Sequence, residues 1–591
     1  MTSGHLFPAD MAIIIGYFVL MISMGLYFRK FMTQVKDYFT ASNQVPWWLA
    51  GVSYYMSSFS ALTFVMYAEI TYLYGWVAVT LWWVGIPACL IAAWWIGPRW
   101  RRVCVLSPVE FLEHRFNPSM RQLFAWTGFP MRLAEDGVRL YSIGVFISFG
   151  FGLPLRWAIV ACAVVIVLYS YLGGLWAVVV NDFVQFSVLF LALLVLLPMA
   201  WWRVGGWGGF IQHTPNPHQY LALTNPPYTW LYVAAAGIIT LLTYNASWAL
   251  VQRFYCVRDE TEARKVGYLV AFLNFIGPPL FFLPLLLARP LLAHLQMARY
   301  SYAAMAMKLL PLGMGGLFIT AMLASSMSCL SGDFNVLASV ATTDIYERLF
   351  NRSAQQRHLL MVGKILTATI GATVLGVALW VTFYPQTPLF SIMMGYSGVG
   401  VAPMMMPLLG GLLFPGLTYR GALAGFFASL LSGFSMLLLQ VYYLPKVPGL
   451  SHTWITFNFQ AYSIFVNTAV CALAMVAYSL LDKRRPDEES KAADFFAKRA
   501  LPVEAAGEFQ STTKMPSPFY IVGLVLMGMG VLLMGVGVVQ PTRLGLTIVL
   551  IAALVFLLVG GFLYRVGRKS SQPTDSGVVG NEEDVVKNRH V

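Results

Sequence analysis

Long apolar stretches follow one another along almost the whole chain, separated by short polar segments. About fifteen of them approach the roughly 20 residues that a helix needs to cross a bilayer. Their approximate limits are 11–28, 47–70, 75–97, 120–151, 155–172, 175–203, 230–254, 266–292, 313–345, 357–382, 389–415, 420–443, 461–481, 517–538 and 544–564. The pattern predicts an all-α polytopic membrane protein.

The composition supports this prediction. Of the 591 residues, 58% are hydrophobic and only 11% are charged, whereas a soluble domain carries about 25% charged residues. The six cysteines contain no CxxC pair, so neither a zinc site nor a redox motif is indicated. The eight histidines are dispersed, and none pairs with a cysteine or a carboxylate at a ligand spacing. We therefore expect no catalytic centre, and the protein is not expected to be an enzyme.

The net charge of +13 is explained by its placement rather than by a nucleic-acid partner. When the connections alternate from an external N-terminus, one side collects the basic residues of segments 29–36, 99–121, 253–265, 348–357, 420, 483–499 and 565–569. The other side keeps Arg156, Arg203, Arg289, Arg299, Lys308, Lys446 and Arg543. The positive-inside rule then predicts a multi-pass protein of the cell membrane, with its N-terminus outside and its C-terminus in the cytoplasm.

Two predicted spans contain polar runs near their middle, at 51–63 and 242–248. If helices two to six and seven to eleven form two five-helix repeats, these are the first helices of each repeat. Inverted-repeat transporters unwind helices at such positions, where backbone carbonyls become available to ions. The alternative is that the serines and threonines only form hydrogen bonds between helices.

Two carboxylates within predicted spans, Asp182 and Asp333, are further candidates, because a charge inside the bilayer usually has a partner or a function. Ser325, Ser328 and Ser331 recur every three residues and share a helix face. This hydroxyl-rich face suits a hard cation such as Na⁺, and it is equally the composition of a close-packed helix interface.

Five segments together resemble the sodium:solute symporter family, which includes sodium-coupled glucose, proline and sialic acid carriers. They are PWW at 46–48, SPVEFLEHRF at 107–116, GGLW with NDFVQ between 173 and 185, VQR at 251–253, and the serine-rich stretch from 327 to 335 with TDIY at 343–346. The resemblance implies a LeuT-type 5+5 inverted-repeat bundle with extra N- and C-terminal helices.

The expected organisation follows from this bundle. Its parts are an N-terminal helix and loop (1–46), the first repeat (47–203), the second repeat (230–415), additional helices (416–481), a cytoplasmic linker (482–514), two C-terminal helices (515–565) and a polar cytoplasmic tail (566–591).

The resemblance also implies a sodium site formed by Met56, Phe59, Ser325, Ser328 and Cys329. The first three would offer backbone carbonyls and Ser328 its hydroxyl. Cys329 stands where the family usually has a second hydroxyl, and sulfur is a softer ligand for Na⁺. A second sodium in some members would here lie among Asp182, Ser328 and Ser331.

The solute site implied by the resemblance lies between the two broken helices and the fourth and eleventh helices. Its candidate residues are Ser58, Thr63, Glu135, Arg139, Thr243, Tyr244, Asn245, Met394 and Ser397. Glu135 and Arg139 are four residues apart and either pair with each other or leave Arg139 free to bind a carboxylate bidentately.

The predicted function is a sodium-coupled symporter that imports a small polar organic solute, such as a sugar, a sugar acid or an organic acid, by alternating access. Na⁺ is the coupling ion, the lipid bilayer is the environment, and no nucleic acid is expected. The alternatives are proton coupling through Asp182 or Asp333 and a solute sensor built on the same bundle. The sequence does not indicate an oligomeric state.

Overall fold

The computed structural model describes residues 8–30, 34–58, 60–293, 295, 298, 301–383, 389–482, 486–503 and 517–571. Within these ranges the chain is helical apart from turns and one isolated β-bridge between Asn225 and Tyr228. The principal helices are α1 (Pro8–Arg29), α2 (Trp47–Ser57), α3 (Ala61–Tyr74), α4 (Val77–Arg102), α5 (Pro118–Phe151), α6 (Leu155–Leu168), α7 (Gly174–Val204), α8 (Trp230–Ala246), α9 (Trp248–Tyr255), α10 (Glu260–Leu291), α11 (Ser301–Leu309), α12 (Met314–Phe350), α13 (Gln356–Val381), α14 (Leu389–Leu413), α15 (Tyr419–Lys446), α16 (Ile455–Leu481), α17 (Pro486–Ala500), α18 (Pro518–Gly537) and α19 (Arg543–Ser571).

Ten of the described helices are long and apolar enough to cross a membrane, and two bent pairs add two more spans. The pairs are α2 with α3 and α8 with α9, whose axes meet at 64° and 49°. Both bends fall within the polar runs of the sequence. Helix α5 is 34 residues long and carries charged residues along its length, which need partners inside the bundle.

The first break has its own local cause. Helix α2 ends at Ser57, and Ser60 begins α3 as an N-cap: its hydroxyl accepts a hydrogen bond from the Thr63 amide, and Thr63 Oγ1 accepts one from the Ser60 amide. This reciprocal capping satisfies backbone donors that a helix start leaves unpaired inside a bilayer. The polar residues of the run therefore stabilise the start of the second half-helix.

The second break is centred on Ser247, whose extended backbone (φ −63°, ψ 130°) separates α8 from α9. The Ser247 amide still donates to the Thr243 carbonyl at 2.9 Å, while its own carbonyl accepts from the Val251 amide. The break therefore reorients the helix and leaves few backbone groups unsatisfied, as a membrane interior requires.

Helix α12 is the centre of the bundle. All residues from Met314 to Ser339 are buried, and the helix packs against α1, α5, α7 and α13, with α2 and α9 against its middle.

The segment Leu155–Val204 is continuously hydrogen-bonded but turns at Gly174. The φ of 55° and ψ of −161° at this residue are open only to glycine. This turn separates α6 from α7.

Two elements lie outside this bundle. Helix α17 occupies the segment predicted as a linker, and its Phe495 ring stacks on Phe111 while Arg115 lies over Phe496. Burial, with Arg99 and Arg102 nearby, lowers the pKa of Arg499 to about 10, and its guanidinium donates to the Leu412 carbonyl and lies over the Phe496 ring. The hairpin of α18 and α19 packs on α1 and α7.

The six cysteines form no disulfide. Five of them are buried within helices or at their ends, and Cys104, in the loop after α4, is partly exposed. Of the predicted tail, residues 572–591 lie outside the described part of the chain.

Candidate functional site

A cavity of about 240 Å³ lies where the break between α2 and α3 meets α4, α5, α8 and α14. Its lining combines hydroxyls, aromatic rings and one pair of opposite charges. The lining residues are Ser58, Thr63, Tyr67, Leu81, Trp82, Arg132, Glu135, Ile239, Thr240, Thr243, Tyr244, Ser397, Val401 and Met405.

The structure brings six of the candidate solute residues together in this cavity: Ser58, Thr63, Glu135, Thr243, Tyr244 and Ser397. Asn245 is buried beside it, where its side-chain amide donates to the carbonyls of Ala88 and Leu241 and its backbone carbonyl accepts from the Trp100 indole. Asn245 therefore anchors α8 to α4. The side chain of Met394 lies outside the described residues.

Arg139 does not line this cavity either. Its guanidinium donates to Asp136 Oδ1 at 3.0 Å and to Asp333 Oδ2 at 2.6 Å, and it also pairs with Glu135. Of the two arrangements that the sequence left open, the structure shows the paired one. The partner on α12 lies 194 residues along the chain, so only the fold brings it to Arg139.

Arg132 is the cation that the cavity does contain, and it was not among the sequence candidates. It donates to Glu135 Oε2 at 3.1 Å and to the Ser247 hydroxyl at 2.8 Å. The sequence could have indicated Arg132, because Glu135 and Arg139 follow it by three and seven residues, which places all three on one face of α5. Arg132 thus ties α5 to the break between α8 and α9.

The residues of the expected first sodium site lie where α2 ends against α12. Met56, Ser325 and Ser328 are completely buried, and the Cys329 thiol donates to the Ser57 carbonyl at 3.2 Å. The Ser328 hydroxyl is buried and close to the Asp182 carboxyl, and it has no hydrogen-bond partner within bonding distance among the described residues. An orphaned buried hydroxyl fits a cation ligand, and Na⁺ accepts such oxygen atoms. Phe59 lies outside the described residues.

Asp182 faces the same region from α7. One carboxyl oxygen accepts from Ser53 and lies 3.7 Å from the guanidinium of Arg253, and both charged side chains are fully buried. The other oxygen, Asp182 Oδ1, is buried and has no hydrogen-bond partner within bonding distance among the described residues. Ser331 uses its hydroxyl to donate to the Ser328 carbonyl at 3.0 Å. Arg253 already balances the charge of Asp182.

A helical membrane bundle with two bent spans and a polar cavity beside both breaks is typical of a secondary transporter. The model of the sodium:solute symporter family matches residues 38–429. The chain belongs to this family, and it is a sodium-coupled symporter rather than an enzyme.

Curated relatives are about one quarter identical. The sodium/sialic acid symporter SiaT of Proteus mirabilis (strain HI4320) is 25% identical over 435 residues, which cover 70% of this chain and 85% of the relative. The sodium/glucose cotransporter 2 of Rattus norvegicus is 25% identical over 487 residues, covering 74% and 72%. The sodium/myo-inositol cotransporter 2 of Mus musculus is 25% identical over 480 residues, covering 74% and 71%.

A solved structure of a Na⁺-coupled sialic acid symporter, in a substrate-bound outward-open state, superposes with a TM-score of 0.69 at 21% identity. It covers 80% of this chain and 98% of its own. The likeness confirms the predicted LeuT-type fold. The sequence alignments with relatives extend over 62% to 85% of those proteins' lengths.

Proposed function

We propose that this symporter imports an uncharged, polyhydroxylated solute of about monosaccharide size. The observation that carries the proposal is the charge balance of the cavity: among its described lining residues, Arg132 and Glu135 are the charged ones, and they pair with each other. The remaining polar groups are mainly hydroxyls, and Tyr67 and Trp82 offer aromatic faces. Hydroxyl donors and acceptors with an apolar face match a ring-shaped polyol.

An anionic solute fits this arrangement less well. Bidentate binding of a carboxylate requires a guanidinium with two donors available. Arg139 uses its donors on three carboxylates, and Arg132 is held by Glu135 and Ser247. The names of the glucose and inositol relatives agree with a neutral solute, whereas that of the sialic acid relative belongs to an anion.

The test is competition for uptake in proteoliposomes under an inward sodium gradient. Hexoses and cyclitols are expected to compete, and the corresponding sugar acids and short carboxylates are expected not to. An anion as the strongest competitor would overturn the proposal. Saturable binding of a solute without uptake would instead favour the sensor alternative.

Glu135→Gln sharpens this test. The variant leaves the Arg132 charge without its partner in the cavity, so uptake of the neutral solute is expected to fall about tenfold or more. Competition by the matching sugar acid should become stronger at the same time. Glu69→Gln, on an exposed face of α3, is the matched control and should retain wild-type selectivity. Unchanged selectivity in Glu135→Gln would exclude Glu135 from the solute site.

We further propose that a coupled sodium ion binds the carbonyls of Met56, Phe59 and Ser325 together with the Ser328 hydroxyl, next to Cys329. The bound ion would hold the end of α2 against α12 and favour the outward-open state. It drives the conformational change only as far as it binds the two states unequally. The end of the bundle with the basic loops faces the cytoplasm in this proposal, and the N-terminus lies outside.

Ser328→Ala tests the ion site. A saturating ligand stabilises the folded state by RT ln(1 + [L]/Kd), about 2.7 kcal/mol at 100 times the Kd. We expect purified protein to unfold at a higher temperature in sodium chloride than in choline chloride, and Ser328→Ala to lose that difference. Ser325→Ala is the control, because it removes a hydroxyl bonded to the Met322 carbonyl and keeps the backbone ligand. Equal sodium responses in both variants would contradict the assignment.

A further inference from the structure

Five charged side chains form a buried cluster between α5 and α12. Arg132, Glu135, Asp136 and Arg139 come from α5, and Asp333 comes from α12. The exposed fraction of their side chains ranges from 0% for Asp136 to 15% for Arg139. Three carboxylates face two guanidiniums, so the described cluster carries one negative charge too many.

Such an imbalance inside a membrane protein is costly unless a further cation is present. Another buried carboxylate of the bundle shows the contrast, because Asp182 has one cationic partner, Arg253 at 3.7 Å, and no excess charge remains there. The cluster at Asp136 and Asp333 is therefore a place where a monovalent cation would restore neutrality.

The oxygen atoms that would hold the cation are identifiable. The carboxyls of Asp136 and Asp333 lie side by side. In each, one oxygen accepts from Arg139, while the other, Asp136 Oδ2 or Asp333 Oδ1, is buried and accepts no hydrogen bond from the described residues. Two ionised carboxyls buried side by side repel one another unless a cation or a shared proton lies between them.

We propose that Asp136 and Asp333 bind a Na⁺ ion, separate from the ions expected at Ser328 and Asp182. Carboxylate oxygens are suitable ligands for this hard cation. Asp333 lies one helical turn after Cys329, so the ion would sit on the same face of α12 as the contact with α2.

This position links the ion to the solute cavity. Arg139 binds both aspartates and also Glu135, and Glu135 in turn binds Arg132 and lines the cavity. An ion between the aspartates weakens their attraction for Arg139. The ion pair between Arg139 and Glu135 therefore becomes stronger. The cation would thus set the position of the charged pair that faces the solute.

The experiment is equilibrium binding of ²²Na⁺ to purified full-length protein without solute, at fixed pH. We expect Asp333→Asn and Asp136→Asn each to bind one Na⁺ per protein fewer than the wild type, and the double variant to lose no more than either single one. Ser328→Ala should lose a different ion, so its combination with Asp333→Asn should lose two. Because no solute is present, this result does not depend on which solute is transported.

A second measurement addresses weak binding. The reversal potential in proteoliposomes gives the number of charges transported per solute. This ratio is expected to fall by one in Asp333→Asn. The double variant Asp333→Asn with Arg139→Gln is measured if the single variant folds poorly. An unchanged Na⁺ count together with an unchanged charge ratio would overturn the proposal. A charge ratio that falls while the Na⁺ count stays constant would also overturn it, because the cluster would then carry a proton.

Discussion

Cys329 places a thiol beside the proposed sodium ligands, at the contact between α12 and the end of α2. Its sulfur donates to the Ser57 carbonyl at 3.2 Å, so the side chain already joins the two helices. Sulfur is a poor ligand for a hard cation, whereas a hydroxyl could form the same hydrogen bond and also ligate Na⁺. The residue therefore keeps the helix contact at the expense of ion affinity.

Cys329→Ser is expected to increase the apparent sodium affinity roughly three- to tenfold, because it adds a hard oxygen ligand at this position. The measurement is the sodium concentration that gives half-maximal uptake, or half of the sodium-specific thermal stabilisation. Cys162→Ser makes the same replacement at a buried site on α6 and should leave this concentration unchanged. An unchanged sodium response in Cys329→Ser would mean that residue 329 is not close to the ion.

At the level of helices, the turn at Gly174 joins α6 to α7, and α7 carries Asp182. With φ at 55° and ψ at −161°, Gly174 occupies a backbone region that other residues enter only under strain. The geometry of this turn fixes where α7 begins. It thereby fixes the position of Asp182 along the bundle.

Gly174→Ala is expected to destabilise the protein by about 1–3 kcal/mol, since alanine adopts this conformation only with strain. Gly376→Ala is the matched control: Gly376 lies inside α13, and a methyl group there meets no atom within 4 Å. Alanine is the better helix former, so the control should be neutral or slightly stabilising. Thermal unfolding in detergent measures both, and equal effects of the two replacements would contradict the strain argument.

At the scale of the whole molecule, the hairpin of α18 and α19 is separate from the cavity. It packs on α1 and α7, Phe519 stacks on Trp48 with ring centroids 4.5 Å apart, and Gln540 donates to the Leu312 carbonyl. None of the described residues that line the cavity belongs to it. Its contacts are with the outer side of the bundle.

Removing residues 515–591 is therefore expected to leave sodium-driven uptake intact while lowering the unfolding temperature. Lipid can cover much of the apolar surface that the hairpin leaves, but it does not replace the Gln540 hydrogen bond or the Trp48 stacking. Uptake and thermal unfolding of the truncated protein are the measurements. Lost uptake in a truncated protein that inserts and elutes as a single species would show that the hairpin takes part in transport.

Much of the fold could be predicted from the sequence, because spans and breaks are local patterns. The polar runs of α2–α3 and α8–α9 are visible within about a dozen residues, and the structure bends at both. The charged cluster could not be predicted in the same way. The spacing of Glu135 and Arg139 indicated a pair, but Asp333 joins it only through the packing of α12 on α5.

The lining of the cavity was predictable in part for the same reason. Residues next to the breaks, such as Ser58 and Thr243, line the cavity together with Glu135. Arg132 was accessible from its spacing on α5, yet a helix face alone does not show whether Arg132 or Arg139 points to the cavity. That choice depends on which carboxylates other helices supply.

The exposure pattern of the cysteines has a practical consequence. Since five of the six thiols are buried and Cys104 is partly exposed on the loop after α4, the unmodified protein offers essentially one site to a bulky maleimide. A maleimide that does not cross membranes would react with Cys104 only from the face on which that loop lies. Labelling of sealed vesicles of known sidedness therefore reports the orientation of the protein without any engineered cysteine.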